Sequence, residues 1–183
     1  MHIYDPFGYC PQTFQGADIV ATQGSEPYLV FVPDFIGPKR AGKHEWFLPG
    51  ADKTALNELI DCITSESMMT LIHDTVSALR SDKRYMHVKR WAGVGFCWGS
   101  KGVSIMCSKG DKSLLDVAAH TSPSRLNPEE AKTITVPTLL LPSKGEAESL
   151  VDGYTENLKG EKDMVRFDEV HGWMSARYVE MDP

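Results

Sequence analysis

Along the chain, short apolar runs alternate with stretches whose apolar residues recur every three or four positions. Tyr28-Leu29-Val30-Phe31-Val32 is an unbroken apolar run that stops at Pro33-Asp34, and it reads as a buried strand. Residues 35–51 hold several Gly and Pro residues and read as a loop. Leu56, Leu59, Ile60 and Ile63 then share one helical face, with Asp52 as a candidate cap. Met69, Ile72, Val76 and Leu79 define a second helix, capped by Ser65, with Glu66 well placed for the helix dipole. A strand over 89–96 ends in a glycine-rich turn and passes into a helix from about residue 99 to 108. Residues 115–119 and 136–141 are further strands. Leu150, Tyr154 and Leu158 mark another helix, and residues 164–167 a last strand before His171 and a C-terminal helix.

Such alternation predicts an α/β fold: a mostly parallel sheet with helices on both faces, a three-layer sandwich in one domain over 1–183. Ligands of these sheets sit beyond the carboxyl ends of the strands. The residues expected there are Asp34, Cys97, His120, the loop 144–148 and His171.

Composition narrows the function. The chain has 183 residues, 42% of them hydrophobic, which fills one core. A net charge of −6 offers no broad basic field, which argues against nucleic-acid binding. No apolar run approaches the roughly 20 residues that span a bilayer, and the start of the chain lacks the basic and apolar regions of a signal peptide. A cytoplasmic protein is expected. Four cysteines, at 10, 62, 97 and 107, include no C-x-x-C pair, so neither a structural zinc site nor a thioredoxin-like redox motif is expected. Cys62 and Cys107 fall in predicted helices and read as core thiols.

One motif carries chemistry. Gly95-Phe96-Cys97-Trp98-Gly99 is G-x-C-x-G between a strand and a helix, the nucleophile-elbow pattern with Cys in place of Ser. Glycines flank the nucleophile because the turn is too tight for side chains, and the nucleophile itself is strained. The helix that follows favours a thiolate at its N-terminus, and the Trp98 amide can donate to an oxyanion. His171, after the last strand, is the candidate base, in the chain order nucleophile, acid, histidine. The acid is expected in Ser143-Lys144-Gly145-Glu146-Ala147-Glu148, where either Glu146 or Glu148 serves. His120 either lines the pocket or stabilises a loop. Trp98, Trp173 and Phe7 offer apolar pocket walls or core packing.

These residues resemble the dienelactone hydrolase family. The matching pieces are Tyr4-Asp5-Pro6-Phe7-Gly8, Gln15-Gly16-Ala17-Asp18, Val32-Pro33-Asp34, Gly95-Phe96-Cys97-Trp98-Gly99 and Val170-His171-Gly172-Trp173-Met174. Pro11-Gln12-Thr13 and the run His171 to Arg177 are similar to the fungal-type branch. The resemblance implies an α/β-hydrolase fold and a Cys-acid-His triad that cleaves small lactones or esters without a metal. Counted without gaps from Pro137, the acid falls on Glu146; a one-residue shift reaches Ala147, with Glu148 beside it. It further implies that Asp5 lies near the thiol, and that Arg177 meets a substrate carboxylate.

Three departures matter. The chain starts at the Tyr4–Gly8 motif, whereas family members carry earlier strands; a bare sheet edge would then be covered by a homodimer. Pro6 stands where the family uses a backbone N–H for the oxyanion, and proline has none. The acid is Glu where the family has Asp. The expected function is hydrolysis of a small-molecule lactone or ester, chemistry that needs no metal or organic cofactor. The alternatives are a catalytically weakened member that binds a ligand or partner, and an enzyme of altered chemistry such as an isomerase or a pathway-specific lactone or anhydride step.

Overall fold

The computed structural model describes residues 1–37, 39–108 and 112–176. Five short strands pair in parallel, in chain order: β1 (His2–Ile3), β2 (Ala92–Phe96), β3 (Val117–Thr121), β4 (Thr138–Leu141) and β5 (Lys162–Met164). The helices are α1 (Pro11–Thr22), α2 (Thr54–Asp61), α3 (Glu66–Ser81), α4 (Trp98–Cys107), α5 (Pro128–Ala131) and α6 (Glu148–Asn157). A parallel sheet needs a crossover between neighbours, and the helices supply it. Among the described residues no helix is long and apolar enough to cross a membrane.

The site is positioned by α4. It packs across β1, β2 and β3, and nearly all of its residues are buried, Lys101 included. Burying that ammonium is tolerable because Glu130 of α5 accepts it at 2.5 Å. Two glycines let the helix start so close to the sheet. A Cβ on Gly95 would lie 2.5 Å from the Gly99 carbonyl oxygen, and one on Gly99 would overlap the carbonyl oxygen of Ile3. The first turn of α4 is thereby pressed against the carboxyl end of β1.

Strand alternation sorts the side chains. Gly93 and Gly95 face α4, while Val94 and Phe96 face the other way. On that second face His2 stacks on Phe96 at 4.5 Å, and α1 lies against His2 through Gly16. The Ser65 cap forms as expected: its Oγ accepts from Met68 N at 3.2 Å. Asp52 bonds Thr54 N at 2.9 Å, but Lys53 is the residue that flanks α2.

Four elements differ from expectation. Residues 28–32 have no regular secondary structure and lie outside the sheet, joined to β1 by a bond from His2 N to Phe31 O at 2.8 Å. Tyr28 and Leu29 are 60% and 57% exposed there, so the apolar run is not a buried strand. Neither β1 nor α1 was expected. Two residues carry no periodicity, and α1 buries only Thr13 and Ala17, too few to imprint an apolar stripe. The last strand sits two residues early, although Val165 N to Leu140 O and Phe167 N to Pro142 O continue its bonding beside β4. After it, residues 171–176 form turns, and the C-terminal helix expected beyond them lies outside the described residues.

Candidate active site

Cys97 sits between β2 and α4 with φ +50° and ψ −110°, a conformation that costs a non-glycine residue about 1–3 kcal/mol. Its backbone is held on both sides by the end of β3 and the loop after it. Cys97 N donates to Thr121 O at 3.0 Å, and Ser124 N donates to Cys97 O at 3.2 Å.

The structure brings three of the expected residues into one hydrogen-bonded row. His171 Nε2 lies 3.0 Å from Cys97 Sγ, and His171 Nδ1 lies 2.5 Å from Glu146 Oε1. The expectation left Glu146 and Glu148 open. Glu148 is exposed in the first turn of α6, and Glu146 is the carboxylate that meets the imidazole.

Neighbours fix each member. Ser143 is fully buried, and both its backbone N–H and its hydroxyl donate to the Glu146 carboxylate. Gly145 lets this turn lie on His171, since a Cβ there would come within 3.1 Å of the His171 Cβ. Lys144 N donates to Glu169 O at 3.1 Å, tying the acid turn to the histidine segment. Gly172, at φ +87°, donates its N–H to Ser122 Oγ at 3.1 Å. Sequence reasoning missed Ser122 and Ser143. For Ser143 a signal existed, because Ser-x-x-Glu is capping-box spacing and Glu146 bonds the serine amide in that manner.

The electrostatics follow from these contacts. Burial alone would lower the His171 pKa, but the hydrogen bonds and charges of Cys97 and Glu146 outweigh it and raise it to about 10. Burial would raise the Glu146 carboxyl, yet the bonds from His171 and Ser143 hold it below its usual value. An imidazolium is therefore favoured between the sulfur and the carboxylate. Burial raises the Cys62 thiol, and pushes Cys107 up to about 12, which keeps both protonated and unreactive.

The other expected residues fall in different places. The Asp5 carboxylate is buried and accepts from Phe7 N at 2.9 Å and Ala176 N at 3.1 Å, pinning the end of β1 to the turn that follows His171. Phe7 stacks on Phe47 at 4.6 Å, and Trp173 packs on Phe167 at 4.6 Å. The Trp98 indole is fully buried against Tyr4 and is no pocket wall, although its amide opens α4. Arg177 lies outside the described residues.

His120 is not brought to the site. It pairs with Gly95 across the sheet, so alternation turns it inward, where it meets the Tyr154 ring at 5.9 Å with neither ring nitrogen well hydrogen-bonded. Burial lowers its pKa from 6.5 to about 4, offset slightly by the Ser100 backbone. A depressed histidine contributes stability that is full above 6.5 and lost as pH falls through about 4. The unfolding free energy of wild type relative to His120→Leu should therefore drop by about 3 kcal/mol between pH 7 and pH 4. Parallel urea-unfolding profiles for the two proteins would refute this.

The dienelactone hydrolase family model matches residues 3–164. The chain belongs to the dienelactone hydrolase family. An uncharacterised AIM2 family protein of Schizosaccharomyces pombe is 29% identical over 189 residues, covering 98% of this chain and 72% of that protein. That relative accords with the fungal-type resemblance. A dienelactone hydrolase of Anabaena variabilis superposes with a TM-score of 0.66 at 13% identity, over 93% of this chain and 74% of its own. A dienelactone hydrolase-like promiscuous phosphotriesterase from metagenomic libraries gives 0.64 at 13%, over 94% and 70%. At these identities both structures speak to the fold alone. The family is one of hydrolases, and hydrolysis is the class of activity it assigns to this member.

Proposed function

We propose that this family member hydrolyses a small carboxylic ester or lactone, with Cys97 as nucleophile, His171 as base and Glu146 as the group that orients the imidazole. The observation that carries the proposal is the continuous row from Cys97 Sγ through both ring nitrogens of His171 to Glu146. The thiol proton moves to His171 Nε2, and the sulfur attacks the carbonyl carbon. The developing oxyanion takes a hydrogen bond from the Trp98 amide, in the first turn of α4, where N–H groups have no intrahelical acceptor. The C–O bond then breaks, and the leaving alkoxide takes the proton from His171. Water adds to the thioester as His171 removes its proton. The C–S bond breaks, the acid leaves, and the thiol is restored. With a lactone the alkoxide stays tethered, so one hydroxy acid is released. The test is a panel of small lactones and nitrophenyl esters. Catalytic hydrolysis of at least one is expected, and ligand binding without turnover would overturn the proposal.

That outcome belongs to a second reading, a ligand-binding member with weakened turnover, and one residue favours it. Pro6 has no N–H at the position from which the family draws an oxyanion donor. Its carbonyl is instead engaged, accepting from Gly42 N at 2.6 Å. Losing one such donor costs about 10²–10³ in rate in other enzymes. Pro6→Ala is therefore expected to raise kcat at least tenfold. An unchanged kcat would mean that the missing donor does not limit this enzyme.

A further inference from the structure

We propose that Ser122 is a positioning residue, which sets the His171 imidazole against Cys97 by holding the Gly172 amide from a strained backbone; the role rests on the triad reading above. Ser122 is buried and adopts φ +39°, in the region that favours glycine. It also precedes Pro123, which pushes a residue towards extended backbone. Nothing in serine's own preferences produces this conformation, so the surroundings impose it. Its main chain is anchored by Ser122 N to Leu141 O at 3.0 Å. Its side chain then accepts from Gly172 N, the amide directly after His171, at 3.1 Å between two buried groups. The last residue of β3 and the loop that follows it bond the Cys97 backbone from both sides, through Thr121 O and Ser124 N. One loop thus holds the nucleophile by its main chain and the histidine segment by the Ser122 hydroxyl. Cys97 and His171 are separated by 74 positions in sequence, and this loop ties both to the end of β3.

A side chain that served stability alone would have no reason to sit at φ +39° when glycine fits there without strain. Ser122→Gly separates the two roles, because it relieves the backbone and removes the hydroxyl. Ser122→Ala keeps the strained Cβ and removes the hydroxyl. The readout is the rate of Cys97 alkylation by iodoacetamide against pH, followed by peptide mass, with melting temperature and ester kinetics alongside. In wild type the alkylation should already be fast well below the pH at which an ordinary thiol ionises, about 8.5. In Ser122→Gly the melting temperature should be equal or higher. Alkylation at neutral pH should nevertheless fall about fivefold to tenfold, and its profile should move towards that of an isolated thiol. kcat should fall about tenfold, with KM within twofold. An alkylation profile in Ser122→Gly that superimposes on wild type would overturn the role of Ser122 and leave the triad standing. An isolated-thiol profile in wild type itself would remove the triad reading, and the role of Ser122 with it.

Discussion

Cys97→Ala should lose at least 10³-fold in hydrolytic rate and still fold. The loss follows from the chemistry, because the methyl group cannot form the thioester, and the remaining groups only polarise a carbonyl for attack by water. The fold is expected to survive because alanine meets the same φ of +50° with the same Cβ and adds no new strain. The thiol is only partly buried, so its removal leaves little cavity. The backbone bonds to Thr121 and Ser124 do not involve the side chain. Steady-state hydrolysis of the best ester, beside thermal unfolding, is the measurement. Full turnover by the alanine variant would sink the cysteine mechanism.

Glu146→Gln should reduce kcat by about 10²–10⁴, even though the side chain keeps its size. The amide can present its N–H to His171 Nδ1, which leaves the proton on Nε2, where it cannot take one from the thiol. The charge matters as much as the tautomer. His171 stands at about 10 in the protein because two acceptors outweigh its burial, and Glu146 is one of them. With that carboxylate gone, burial lowers the imidazole and the imidazolium is lost at a lower pH. The sign is definite for stability as well. A histidine raised from 6.5 contributes stability that is full below 6.5 and lost as pH rises through about 10. The alkaline decline of wild type is therefore expected near pH 10, and that of Glu146→Gln at lower pH. Chemical unfolding between pH 7 and 10.5, with kcat over the same range, tests both. A kcat within threefold of wild type and an unmoved alkaline limb would remove Glu146 from its orienting role.

Much of this arrangement is legible in the sequence. The elbow was readable because its rule is steric and local: glycines at 95 and 99 leave space that no other residue could occupy. The Ser65 cap was readable because its partner is three residues away. His171 was reached through chain order and the strand before it. Its pairing with Cys97 was expected on the same ground, and a count from Pro137 pointed to Glu146, but local sequence left Glu148, only two positions away, as an alternative. That choice turned on where α6 begins. Glu148 lies in its first turn, while Glu146 lies in the turn that Gly145 allows to rest on His171.

The sequence by itself determined the elements with strong internal repeats, the alternation that makes the sheet parallel, and the elbow that singles out Cys97 as the candidate nucleophile. Each depends on residues within a turn or two of one another. Only the tertiary structure decided which face His120 occupies, that residues 28–32 stay outside the sheet, and that Ser122 meets Gly172 across 50 positions. Those outcomes depend on strand register and on how closely α4 approaches β1, which are properties of packing between distant segments and leave no periodic mark on the chain.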